Sequence, residues 1–214
     1  MEFTATVREV ASVGPETVAV ELSAPETFDA KPGQFVKLTA TVDGESVSRF
    51  YTVSSPETAG GFQTTVGVGG GDGDGPDFAG YLAALSAGDE LAVAGPFGEE
   101  FYEEESRAVV LASGPGVGPA VAIAERAVAA DNEAAVVYRD DAPAHEDRLA
   151  ALREAGAAVT VTDGAVGAAV ADAVAGGDGE QAFVYGFDDF VAEAEAALEA
   201  AGVDPATAKV ENFG

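Results

Sequence analysis

Arg49, Phe50, Tyr51 and Thr52 lie in the run SRFYTVSS, in a chain that carries very little positive charge. Lysine and arginine together number 10 against 38 aspartates and glutamates, for a net charge of −28. A guanidinium suits a phosphate because its planar donors can grip two oxygens at once. In an extended strand, Tyr51 falls on the same face as Arg49 and offers a flat ring beside it. The pair could therefore cradle something planar and phosphorylated. The plainer reading is an amphipathic strand with a surface arginine. Thr52 should point to the opposite face, so it shares such a site only where the strand bends or ends.

A second candidate is Gly114-Pro115-Gly116-Val117-Gly118-Pro119, which joins the apolar strand AVVLAS to a helix. Glycines at this junction let a ligand approach the backbone, and the free N–H groups of the first helical turn favour an anion. In open parallel sheets ligands bind at the carboxyl ends of strands, where this loop falls. It also reads as a simple tight turn, and Pro119 stands where the GxGxxG fingerprint needs glycine. A third Gly-rich run, GGGDGDGPDFAG, precedes a short helix and otherwise reads as a flexible hairpin. The spacing of Asp72, Asp74 and Asp77 fits no EF-hand or tandem calcium loop. His145 is the sole histidine, in the polar stretch DDAPAHEDR, and reads as a surface residue without a role. With no cysteine and one histidine, the sequence argues against a zinc site and against thiolate-held iron–sulfur clusters.

These candidates need elements to position them. EFTATVREV, TVAVELSA, QFVKLTATV, SVSRFYTVSS, FQTTVGVG and DELAVAGP read as six short strands, with Asp43-Gly44 as a hairpin turn. They predict a small antiparallel barrel, interrupted by one helix over about 77–85. From about Ser106 the short apolar strands AVVLAS, AAVVYR, AVTVT, AFVYG and KVENFG alternate with Ala-rich helices. In the last of these helices Val191, Ala194, Leu198 and Ala201 keep helical spacing along one face. That alternation predicts a parallel sheet with right-handed crossovers. The expected architecture is two-domain: an antiparallel β-barrel over 1–104, then an α/β parallel-sheet domain over 105–214.

At 47% hydrophobic residues, the chain can bury a core despite its charge. The acidity argues against nucleic acid or an anionic membrane as partner. No signal peptide or long apolar run is evident, so a cytoplasmic location is expected. Carboxylates spread along the whole length suit concentrated salt; an acidic patch that docks a basic partner is the alternative.

Lys31-Pro32-Gly33-Gln34-Phe35-Val36, RFYT, Gly95-Pro96-Phe97-Gly98, GPGVGP and the final Glu211-Asn212-Phe213-Gly214 occur in that order. This series resembles the ferredoxin–NADP reductase family of flavoproteins across nearly the whole chain. The resemblance implies a flavin-binding barrel followed by a nicotinamide-nucleotide-binding domain. It also implies hydride transfer from NADH or NADPH to flavin N5, then single-electron transfer to a ferredoxin- or flavodoxin-like carrier. FAD is expected rather than FMN.

By the same resemblance, Arg49 pairs with the flavin pyrophosphate, Tyr51 stacks on the isoalloxazine with Phe50 beside it, and Thr52 lies near N5. Phe78, Ala79 and Gly80 align with the phosphate-binding turn, where Ala79 replaces the family's Ser or Thr. Gly114, Gly116, Val117, Gly118 and Pro119 align with the nicotinamide-nucleotide loop, and Arg139 falls at the ribose end. Tyr185, Gly186 and Phe187 stand at the family's Cys-Gly-Pro. Glu211 and Phe213 match its final acidic and aromatic residues; a frayed chain end is the alternative for these two. Tyr51, Thr52 and Glu211 are expected closest to the reaction. The lack of cysteine argues against the family's iron–sulfur-bearing subunits. Two further readings stay open: a non-catalytic flavin-binding subunit of a larger complex, and a nucleotide-binding regulatory module.

Overall fold

The computed structural model describes residues 1–68 and 77–214. Much of the Gly-rich run, with Asp72 and Asp74, lies outside the described residues. The first sheet contains β1 (Glu2–Gly14), β2 (Thr17–Ser23), β3 (Phe35–Val42), β4 (Glu45–Thr52), β5 (Gly61–Gly67) and β6 (Glu90–Phe97). Its order is β4-β3-β6-β1-β2-β5, all antiparallel. Alternate residues point inward: Ala5 and Val7, Val20 and Leu22, Val36 and Leu38, Leu91 and Val93 are all buried in one core. A period of two is what a half-covered strand requires. Just past β4, Val53 bridges Thr64 of β5, so the two edge strands meet and the sheet curls toward closure.

The helix α1 spans Phe78–Ala83, shorter than the expected 77–85. Asp77 stays outside as its cap, accepting from the Gly80 N–H at 2.8 Å. That satisfies one of the unpaired donors of the first turn.

The second sheet contains β7 (Arg107–Ser113), β8 (Glu133–Arg139), β9 (Ala158–Thr162), β10 (Glu180–Gly186) and β11 (Lys209–Asn212). Its order is β11-β10-β7-β8-β9, with every pair parallel. Helices α2 (Val117–Ala129), α3 (Glu146–Glu154), α4 (Gly167–Ala173) and α5 (Asp188–Ala200) connect it. The central strands β10, β7 and β8 are apolar on both faces because both are covered. Ala108, Val110, Phe183 and Tyr185 pack with α2, whereas Val109, Leu111 and Val184 pack with α4 and α5. Chain order reverses between β7 and β10, which makes the carboxyl ends of those strands the switch point of the sheet.

Lys209 ties β11 to the segment between the two sheets. Its ammonium donates to Glu103, Glu105 and the Phe101 carbonyl. The chain end is therefore held in the sheet rather than frayed.

Candidate functional site

β4 ends at Thr52, whose side-chain hydroxyl donates to Glu211 Oε1 at 3.0 Å across a separation of 159 residues. One strand from each sheet thus contributes to a single contact. Glu211 is largely withdrawn from water, and burial pushes its carboxyl from the ordinary 4.5 up to about 7, against the opposing pull of the Thr52 hydrogen bond. Near neutral pH this carboxyl is therefore poised between its two protonation states.

Before Thr52 in β4, Phe50 is 62% exposed, and Tyr51, on the opposite face of the strand, is half-buried. Tyr51 stacks on Phe78 of α1 at 6.2 Å between ring centroids, and Phe78 continues to Tyr81 at 6.0 Å. Arg49 is half-exposed and donates to the Ser48 carbonyl at 3.0 Å. Ala79 offers no hydroxyl, and the Gly80 N–H is engaged by Asp77. A phosphate bound at this turn would have to displace that carboxylate or use other donors.

The remaining candidates gather at the switch point. A short 3-10 turn, Gly114–Gly116, leaves β7 and leads into α2 without a side-chain cap. Gly114 and Pro115 are partly open, whereas Gly116, Val117, Gly118 and Pro119 are buried. Gly118 meets the barrel there: a Cβ on it would lie 2.3 Å from Ser54 Oγ and 2.4 Å from Thr65 Oγ1. Its lack of a side chain is required by the approach of the two domains. Across the crevice Gly186 closes β10, and Phe187, 51% exposed, meets Phe213 edge-to-face at 5.8 Å. Arg139 stands opposite Ser113 in the β7–β8 register, beside this group. Its guanidinium lies 4.9 Å from the Phe190 ring centroid and is paired with Glu193 of α5.

His145 corrects the surface expectation. It is buried, caps α3 in the left-handed region at φ 54, and its Nε2 lies 2.8 Å from Thr65 Oγ1. Thr65 in turn shares a hydrogen with Ser54 at 2.9 Å, and the His145 N–H donates to the Val13 carbonyl. Burial, with the nearby Arg148 charge, lowers the imidazole from 6.5 to about 4, so it is neutral at physiological pH. Alongside, Arg148 makes a two-pronged contact with Glu125 and donates to the Ser54 carbonyl at 2.8 Å. This seam between the sheets was missed from the sequence. Only the hydroxyl pairs Ser54-Ser55 and Thr64-Thr65 hinted at polar partners.

Residues 4–102 match the family described as the oxidoreductase FAD-binding domain. The barrel is similar to oxidoreductase FAD-binding domains over those residues. A curated relative from Methanopyrus kandleri, described as a probable electron transfer subunit of dihydroorotate dehydrogenase B (NAD+), is 33% identical over 110 residues. The match covers 51% of this chain and 38% of the relative, so the chain spans well under half that protein's length. Among solved structures, the cytochrome P450 reductase GcoB of Amycolatopsis superposes with a TM-score of 0.79 at 25% identity, covering 100% of this chain and 70% of the other. A ferredoxin NADP+ reductase from Neisseria gonorrhoeae with bound FAD and NADP gives 0.80 at 19% identity, covering 100% of this chain and 99% of the other. The antiparallel barrel and the following parallel sheet together therefore have the ferredoxin reductase-like fold. Among the described residues, no helix is long and apolar enough to cross a membrane.

Proposed function

We propose that this chain is an NADH-dependent FAD oxidoreductase that passes electrons singly to a ferredoxin- or flavodoxin-like carrier. The observation that carries the reading is the Thr52–Glu211 contact, which joins the end of the FAD-binding domain to the edge of the parallel sheet. Beside that contact the half-buried Tyr51 ring, stacked on Phe78, offers a flat surface, so the residues present fit a flavin there. In this reading Arg49 holds the pyrophosphate, Tyr51 covers one ring face, and the Thr52 hydroxyl and Glu211 carboxyl hold a proton at the ring edge. Bound FAD would supply a two-electron acceptor able to release electrons one at a time. The protein's own contribution is orientation and exclusion of water across the crevice between the sheets.

The preference for NADH rests on Arg139. A 2′-phosphate needs free cationic partners at the end of the second strand of such a sheet. Arg139 is already paired with Glu193, and Asp140 and Asp141 follow it, so a further dianion would meet net negative charge. We expect kcat/KM with NADH to exceed that with NADPH at least tenfold. The reverse ratio would overturn the preference.

A second reading, a flavin-bearing electron-transfer subunit of a larger assembly, is favoured by the description of the Methanopyrus relative. Anaerobic addition of NADH to the purified yellow protein separates the two. Bleaching of the flavin band supports the oxidoreductase, and a yellow protein that stays oxidised supports the subunit. A colourless protein would favour a nucleotide-binding regulatory module. The acidity, we further propose, is an adaptation to concentrated salt in a cytoplasmic setting.

A further inference from the structure

Tyr185 stands opposite Glu211 in the β10–β11 register, as Val184 stands opposite Val210. Paired residues of parallel strands share a face, and this face is the one that packs with α2. Both residues carry a buried polar atom that has no hydrogen-bond partner, the Tyr185 hydroxyl and Glu211 Oε2. Only one other side-chain atom among the described residues, Thr64 Oγ1, shares that condition. A buried donor and a buried acceptor left unserved each carry a desolvation cost, and native interiors rarely keep both.

The barrel admits this phenol by a specific arrangement. Gly33, at φ +100, is the residue that the Tyr185 hydroxyl approaches, and a Cβ there would lie 2.6 Å from the phenol oxygen. Burial and the charges of Glu211, Glu100 and Glu105, Glu211 foremost among them, raise the phenol well above its ordinary 10. It keeps its proton across the accessible range and is always a potential donor. Glu105 is already engaged by Lys209. Glu211 Oε2 is the acceptor that shares the phenol's face and has no partner.

We propose that Tyr185 is a positioning residue for Glu211, its phenol serving Oε2 through one bridging water while Thr52 serves Oε1. A water can both donate and accept, so it fits either protonation state of the carboxyl. The phenol dipole favours the charged carboxylate and fixes the plane of the carboxyl group. The functional importance of this device rests on the proposed flavin reading, but its existence does not.

The test reads the Glu211 carboxyl directly, by 13C NMR titration of the full chain with and without FAD, the signal assigned by its loss in Glu211→Gln. In Tyr185→Phe, removal of the donor should raise the Glu211 midpoint so that its proton affinity increases at least threefold. Incorporation of 3-fluorotyrosine at position 185, which retains the ring and sharpens the donor, should move the midpoint the other way. A double-mutant cycle of Tyr185→Phe and Glu211→Gln should show coupled stabilities above pH 7. A merely idle buried hydroxyl predicts the opposite: Tyr185→Phe as stable as the parent or more so, with the Glu211 midpoint unmoved. Unchanged midpoints in both the phenylalanine and fluorotyrosine proteins would overturn the proposal. Titration without FAD remains informative even where the flavin reading fails.

Discussion

At the scale of single residues, the site is a set of charges and donors with opposite demands. Arg49→Ala would remove the two-pronged cation proposed to hold the FAD pyrophosphate, leaving that dianion facing an acidic protein. Charge-assisted hydrogen bonds contribute about 1.5–3 kcal/mol each. Titration of the apoprotein with FAD should show Kd weakened at least tenfold in Arg49→Ala and partly restored in Arg49→Lys, because an ammonium cannot make the planar contact. An unchanged Kd would return Arg49 to the role of a solvated strand residue. Glu211 and His145 make a second, signed prediction. The folded Glu211 pKa of about 7 exceeds its ordinary 4.5, so the folded state binds the extra proton and this residue costs stability as pH rises from 4.5 through 7. The folded His145 pKa of about 4 lies below 6.5, so its contribution is complete above 6.5 and is lost as pH falls toward 4. The two slopes oppose each other. Relative to the parent protein, Glu211→Gln should gain stability above pH 7, and His145→Asn should lose most there and least at pH 4. Denaturant midpoints across pH 4–8 read both differences.

At the scale of elements, the fold was legible because its cues are local. Val, Thr and Phe alternate along the barrel strands, and Ala-rich helices at regular intervals separate the strands of the second sheet. Six strands and then five appear where those patterns lie. The seam between the sheets was not legible, because its cues are not local. His145 looks exposed in DDAPAHEDR because its chain neighbours are polar; Thr65 of β5, 80 residues away, helps bury it. The resemblance placed Thr52 and Glu211 near one site but not in contact, since nothing in either local run points to the other. Gly118 shows how a feature read as ligand-binding also has a packing cause. Gly118→Ala would drive a methyl into Ser54 and Thr65, and overpacking of this kind costs about 1–3 kcal/mol. The expected result is a lower thermal midpoint and slower flavin reduction by NADH, with FAD affinity nearly unchanged because the barrel itself is intact. Parent-like reduction rates would show that the seam does not control the alignment of the two domains.

At the scale of the whole molecule, the scarce positive charge is largely committed. Arg8, Lys31, Arg107, Arg126, Arg139, Arg148 and Lys209 each lie against a carboxylate among the described residues. With 38 acidic side chains against 10 basic ones, carboxylates far outnumber the cations that could pair with them. Such a field destabilises the compact state by self-repulsion. Screening acts on that repulsion first, because the Debye length falls from about 10 Å at 0.1 M to about 3 Å at 1 M salt. Exposed ion pairs weaken as well, but each contributes only about 0–1 kcal/mol. Net stabilisation by salt follows. The thermal midpoint should rise by several degrees in potassium chloride, most steeply between 0.1 and 1 M, and level off toward 2 M as the Debye length approaches contact distance. A rise that continues undiminished to 2 M would point instead to exclusion of salt from the protein surface. Equal midpoints at 0.1 and 2 M would reject the salt adaptation and favour an acidic surface kept for a basic partner.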